Sequence, residues 1–232
     1  VPLNIALPAL LKNKYFFIQA LMFCSLYIGV VATGSMTFYF CNIVLGNLAI
    51  LTYTSMATTI PAIIVNLVMP TLVPRFGKRK LMIAGAVLFT VGSILIGAGG
   101  SNLTIVLAGL VVKGFGMDPI MSGIFAMTAD VVDYGEWKTG VRSEGLVNSC
   151  TSFGMKVGIG LGSAIGAWLL TLGHYDGTLT QQPESAINMI RFGYGYLGAV
   201  IGVIILILCV MMNIDKHLPE IQKTLEAKRV KN

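Results

Sequence analysis

Long unbroken runs of apolar residues, separated by short polar connections, dominate this chain. Six runs reach the roughly 20 residues that a helix needs to cross the hydrocarbon core of a bilayer. They fall at about Tyr15–Phe40, Asn47–Val73, Leu81–Gly99, Thr104–Val131, Gly145–Leu172 and Met189–Met212. None alternates apolar and polar positions as a barrel strand does, and a bilayer satisfies no backbone polar group, so the runs predict helices. The expected fold is all-α and integral to the membrane. A lead-in over residues 1–14 precedes a six-helix bundle over 15–212 and a polar tail over 213–232. In the tail, the four-residue spacing of Ile221 and Leu225 predicts a short surface helix. The connections leave no room for a soluble catalytic domain.

The placement of basic residues adds direction. Lys12 and Lys14 precede the first run. Arg75, Lys78, Arg79 and Lys80 separate the second from the third, and Lys138 and Arg142 the fourth from the fifth. Lys216, Lys223, Lys228, Arg229 and Lys231 follow the sixth. With six spans these segments share one side, while the opposite connections hold almost no basic residue except Arg191 at an edge. The asymmetry predicts both termini in the cytoplasm and the chain in the cell membrane, with the lipid bilayer as its solvent. Composition agrees. Of 232 residues, 55% are hydrophobic and 11% charged, against about 25% charged in a typical soluble domain. The net charge of +6 arises at the ends of apolar runs and not in a basic patch interleaved with aromatics, which argues against nucleic acid as a partner.

Candidate chemistry is sparse. Cys24, Cys41, Cys150 and Cys209 lie in or beside apolar runs without CxxC spacing, and read as small buried residues. His174 and His217 are far apart with no ligand cluster nearby, so neither a metal site nor an enzyme is expected. The chain opens on Val1, and no short apolar segment with a cleavage site is visible, so a piece of a longer protein is expected.

Charges inside the bilayer are costly, by at least about 2.5–3.5 kcal/mol on insertion scales, and mark function or internal pairing. Three stand out: Lys113 and Asp118 in the fourth run and Lys156 in the fifth. Helical spacing sets Ser149, Ser152, Lys156, Gly160 and Ser163 in one small, polar row that suits a cavity. Another row, Gly154, Gly158, Gly162 and Gly166, suits close approach of a second helix. In the fourth run, Gly114, Gly116 and Pro119 flank Asp118 and predict a kinked or loosened helix lining a cavity. Five residues apart, Lys113 and Asp118 are poorly spaced to pair on one helix, so each is expected to face another helix or a ligand. Beyond that run, Asp130, Asp133, Glu136, Lys138, Arg142 and Glu144 alternate in charge over fifteen residues and read as a half-wet loop able to latch helices.

The stretch Ala129-Asp-Val-Val-Asp-Tyr-Gly-Glu-Trp-Lys-Thr-Gly-Val-Arg-Ser-Glu-Gly145, continued by Ser152-Phe-Gly-Met-Lys156-Val-Gly-Ile-Gly-Leu-Gly162, resembles the glycoside–pentoside–hexuronide:cation symporters. The match runs on through Leu11-Lys-Asn13, Tyr39-Phe40 and the Arg75–Lys80 loop, where Pro74 replaces a frequent Asp, and looks nearest to xyloside and isoprimeverose transporters. The resemblance implies the major facilitator fold, twelve helices in two six-helix halves, with this chain as the C-terminal half and the N-terminal half missing. It implies uptake of a sugar or glycoside with Na⁺ or H⁺ by alternating access, the cation binding in the missing half and no other cofactor involved. Lys156 matches the family's lysine in its eleventh helix. Asp130, Asp133, Tyr134, Arg142 and Glu144 match its charged gating loop. Met121 stands where the melibiose permease has a sugar-facing tryptophan. Ser149, Ser152, Lys156, Asp118, Lys113 and Met121 form the expected substrate set. A channel or structural membrane subunit without coupled transport is the alternative.

Overall fold

A computed structural model describes residues 3–229. Val1 and Lys231 lie outside the described residues, as do the side chains of Lys228 and Arg229. The elements are α1 (Leu3–Leu11), α2 (Lys14–Tyr39), α3 (Ile50–Phe76), α4 (Lys78–Gly99), α5 (Leu103–Thr139), α6 (Glu144–Leu172), α7 (Glu184–Arg191), α8 (Leu197–Met211) and α9 (Leu218–Arg229). A π-helical turn, Phe40–Val44, extends α2, and a second, Phe192–Tyr196, joins α7 to α8 without a break. Six helical runs are long and apolar enough to cross a membrane: Lys14–Val44, Ile50–Phe76, Lys78–Gly99, Leu103–Thr139, Glu144–Leu172 and Glu184–Lys216. They coincide with the six apolar stretches, so the all-α membrane fold expected from the sequence is the one observed.

Three local expectations change. α5 does not stop near Val131 but runs 37 residues to Thr139, where Gly140 closes it in the left-handed conformation at φ 73°. The charged segment from Asp130 to Lys138 is therefore helix and not loop. Its buried Val131, Val132 and Tyr134 carry the apolar stripe onward; Asp130 is buried among them, while Asp133, Glu136 and Lys138 are more exposed. Nor is α5 interrupted at Gly114, Gly116 and Pro119; it stays helical throughout. The glycines serve close packing instead: a methyl at Gly114 would lie 2.8 Å from the Thr58 carbonyl oxygen of α3. The last span begins at Glu184, earlier than hydropathy alone indicates, because Ala186 and Ile190 bury one face of α7.

Asparagines set two helix starts. The Asn13 side-chain oxygen accepts from the backbone N–H groups of Tyr15 (3.1 Å) and Phe16 (3.3 Å). Its amide donates to the Val131 carbonyl at 2.9 Å, tying the entry of α2 to α5. Asn102 caps α5 in the same way.

α5 packs against α4 and α3, α2 against α6, and α8 against α4 and α2. The glycine row of α6 packs on α2 as its spacing predicts: a methyl at Gly158 would lie 2.6 Å from the Cys24 carbonyl oxygen. α3 and α6 are the flanking helices, and only 11% and 22% of their most apolar windows are buried. At the end where the basic segments gather, α9 lies against α5. Ile221 and Leu225 are in the core there, in keeping with the predicted tail helix. Tyr15 and Tyr134 meet edge to face at 4.7 Å, and His217 stacks on Trp137 at 6.1 Å.

Candidate functional site

Lys113 organises the interior. It faces α2 and α4 from the middle of α5 and is 7% exposed. Its ammonium donates to the Thr33 hydroxyl of α2 at 3.4 Å and stands 5.1 Å from the centre of the Phe89 ring of α4. It takes part in none of the carboxylate ion pairs among the described residues. The pair with Asp118 is thus not made.

Two cavities adjoin at Lys113, Met117 and Thr58. One, of about 210 Å³, is lined also by Thr33, Thr37, Thr54, Ser55, Phe89 and Tyr194. The other, of about 250 Å³, is lined also by Thr59, Asp118 and Met121. The hydroxyls are oriented by their own helices. Thr33 donates to the Gly29 carbonyl at 2.7 Å, Thr54 to Leu51 at 2.9 Å and Thr58 to Ser55 at 3.0 Å. With the protons turned back to the helix, the oxygens are left as acceptors toward the cavity. Asp118 adds a carboxylate whose Oδ2 is buried without a hydrogen-bond partner. Such a cavity, mostly apolar with a few convergent polar groups, is how a small-molecule site is built.

Of the residues expected from sequence, the structure brings Lys113, Asp118 and Met121 to these cavities. Ser149, Ser152 and Lys156 stand elsewhere, on the exposed face of α6 opposite its glycine row. Ser149 borders a separate recess with Arg142, Ser143 and Glu144 near the basic end. Lys156 is in no ion pair among the described residues.

The charged residues form two separate clusters. Asp130 bonds to Lys78 of α4, with Nζ–Oδ2 2.8 Å and Nζ–Oδ1 3.0 Å, and the same ammonium donates to the Ala126 carbonyl at 3.1 Å. The neighbouring Arg79 donates to the carbonyls of Cys209 (3.1 Å) and Val210 (2.6 Å) and to the Asn213 side chain (3.2 Å), pinning α4 to the end of α8. Farther out, Arg142 bridges Asp133 and Glu136, each at 2.8 Å, and reaches Glu144 at 3.3 Å. Those carboxylates, Glu136 foremost, push the guanidinium further into its charged range. Tyr134 is not part of this exposed network. It is buried between Tyr15, Trp137 and His217. Because Arg142 is 41% exposed, solvent screens its pairs. Arg142→Ala is expected to cost at most about 1 kcal/mol of stability, read as a thermal midpoint in detergent. A loss of several times that would show that the network holds the bundle together.

Sequence reasoning missed Thr33, Thr37, Thr54, Ser55, Thr58, Tyr194 and the roles of Lys78 and Arg79. One signal was available: Thr54, Ser55, Thr58 and Thr59 fall at one- and four-residue spacing, a hydroxyl stripe on one face of α3.

Six spanning helices around a hydroxyl-lined interior that holds a buried ammonium define a multi-pass membrane protein with an internal polar site. The comparisons name its kind. The sequence profile of the family described as MFS/sugar transport protein matches residues 1–216, and the chain belongs to that family. Its members are transporters and not enzymes, and the six spans make up one half of the major facilitator fold. Among curated relatives, the isoprimeverose transporter of Lactiplantibacillus pentosus is 29% identical over 98% of this chain and 48% of its own length. The glucuronide carrier protein homolog of Escherichia coli (strain K12) is 30% identical over 86% of this chain and 45% of its own length. A putative sulfoquinovose importer of Salmonella typhimurium is 31% identical over 65% of this chain and 32% of its own length. The chain spans about half the length of the first two of these relatives. These matches bear out the resemblance to glycoside–pentoside–hexuronide symporters carried by the Ala129–Gly145 signature.

Proposed function

We propose that this chain is the C-terminal half of a transporter that carries a sugar or glycoside across the cell membrane by alternating access. The carrying observation is the pair of adjoining cavities around Lys113, lined by Thr33, Thr54, Thr58 and Asp118. Hydroxyl acceptors and a carboxylate complement the hydroxyl donors of a sugar, and the apolar walls of Phe89, Met117 and Met121 complement the faces of its ring. The substrates for which the isoprimeverose and glucuronide relatives are named support the same class. The N-terminal half packs against the faces that α3 and α6 leave free, and Ser149, Ser152 and Lys156 then face it. Both termini face the cytoplasm, a reading supported by the basic segments at the end that holds α1 and α9. Transport is coupled to Na⁺ or H⁺, bound in the other half. The Asp130–Lys78 and Arg142 clusters belong to the cytoplasmic gate.

The test is uptake by the full-length parent in proteoliposomes, with labelled xylosides, galactosides and glucuronides, under a Na⁺ gradient, a H⁺ gradient or neither. Accumulation that needs one gradient supports the reading. Equilibration without accumulation would make the protein a channel or facilitator. Lys156→Ala in the same protein is expected to abolish or uncouple transport while insertion stays normal, because an exposed lysine on the free face of α6 has no packing role in this half. Wild-type uptake kinetics in that variant would remove Lys156 from the mechanism.

A further inference from the structure

Resting on the sugar-site reading, we infer that the Lys113 cavity takes an anionic group of the solute, a carboxylate or sulfonate, with the sugar hydroxyls turned toward Asp118. A lysine ammonium carries three donors and no acceptor. Among the described residues it has one long hydrogen bond, 3.4 Å to a hydroxyl, and the face of one aromatic ring. A cation so buried, at 7% exposure, is destabilising without a counter-charge. No carboxylate among the described residues pairs with it.

The surrounding hydroxyls sharpen this. Thr33, Thr54 and Thr58 spend their protons on backbone carbonyls, so they offer the cavity acceptors. An acceptor-only group such as a carboxylate is poorly received by such oxygens, and Lys113 is the charged donor that the cavity offers it. Sugar hydroxyls, which can donate, suit the threonine oxygens and the Asp118 carboxylate that borders the second cavity. Between its apolar walls the site therefore carries opposite charges, cationic at Lys113 and anionic at Asp118. It matches a sugar acid better than the neutral sugar of the same shape.

The experiment compares methyl β-D-glucuronide with methyl β-D-glucoside, which differ at C6 in a carboxylate or a hydroxymethyl group. Binding to the purified full-length protein is followed by titration calorimetry, with Lys113→Gln and Lys113→Arg beside wild type, each checked for its thermal midpoint. Wild type is expected to bind the glucuronide about tenfold or more tighter than the glucoside. In a folded Lys113→Gln the ratio of the glucoside to the glucuronide dissociation constant falls toward one, whatever the change in glucoside binding itself, and Lys113→Arg keeps part of the preference. If the glucoside binds as well as the glucuronide or better, the anion inference fails and the sugar site stands. If neither sugar, nor any other in the uptake panel, binds the folded protein, the sugar-site reading fails with it. Equal loss of both sugars in a folded Lys113→Gln overturns the inference in favour of a lysine that pairs with the other half of the transporter.

Discussion

Replacing Gly92 by valine is expected to cost this bundle more stability than any other substitution considered for it. Gly92 of α4 faces Gly109 and Lys113 of α5, and an added methyl would lie 2.6 Å from the Gly109 carbonyl oxygen and 2.8 Å from the Lys113 Cα. Both obstacles are backbone, so no rotamer change relieves the clash and the helices must separate. About two helical turns along the same crossing, a methyl at Gly85 would lie 2.7 Å from the Gly116 carbonyl oxygen, so the contact is backbone to backbone at two levels. Within a bilayer, helices associate through this kind of close packing and not through burial of apolar surface from water. Overpacking in a well-filled core costs about 1–3 kcal/mol, and rigid neighbours put Gly92→Val at or above the top of that range. The separation would also displace Lys113 from its cavity. Folded yield and thermal midpoint in detergent should fall sharply, whereas Gly145→Ala, with nothing within 4 Å of its added methyl, should be silent. A Gly92→Val protein as stable as wild type would contradict the packing described.

The second large effect is expected at the Asp130–Lys78 pair. The Asp130 side chain is 11% exposed and that of Lys78 27%, so neither charge is well hydrated once its partner is gone. Asp130→Asn leaves the ammonium among carbonyls, and Lys78→Met leaves the carboxylate half buried. Each single change is expected to cost about 1–3 kcal/mol, toward the weaker end for a pair that water partly reaches. A double-mutant cycle should return a favourable coupling energy, because the two sites share a direct contact. In the full-length transporter the pair ties the start of α4 to the lower part of α5. Loss of the tie is expected to lower the initial uptake rate at least about tenfold, through a shift between inward- and outward-facing states worth roughly 1.4 kcal/mol. The exchanged variant Lys78→Asp with Asp130→Lys should recover part of it. Wild-type uptake in both single variants would leave the pair with a structural role alone.

Much of this architecture is legible in the sequence because a bilayer imposes a simple rule. A span must be long, apolar and helical, and the six apolar runs meet that rule without ambiguity. The glycine row of α6 is legible for a related reason, since small residues at four-residue spacing have one main use between membrane helices. Where hydropathy stops being the governing force, the reading loses resolution. The end of α5 past Val131 is held by Val132 and Tyr134 on one side and by charges on the other, so a window average sees only a polar segment. Gly114, Gly116 and Pro119 read locally as helix breakers, yet tertiary contacts with Thr58, Gly85 and Phe89 give each glycine a neighbour to fit.

The candidate site shows the same divide. Lys113 and Asp118 announce themselves because charge is rare at that depth. The threonines that surround Lys113 come from α2 and α3 and are ordinary in each. Only the packing of α3 on α5 and of α2 beside them assembles the ring. Lys156 is the opposite case. Its row on α6 is polar and small, and within this half it faces outward. What it meets lies, on the proposed function, in the other half of the transporter, and no pattern inside α6 encodes that.

On the proposed function, the cavity around Lys113 and Thr58 is an aqueous solute site. The most direct measurement uses the full-length transporter with its native cysteines replaced and a single cysteine at Thr58, exposed to a membrane-impermeant maleimide in the presence and absence of each transported sugar. Thr58→Cys is expected to be labelled, at a rate that a transported sugar slows in a saturable way. A cysteine at Leu67, which is 76% exposed on α3 and outside both cavities, should show no such protection. A Thr58→Cys protein that transports sugar but is not labelled, or is labelled at a rate no transported sugar alters, would contradict the account.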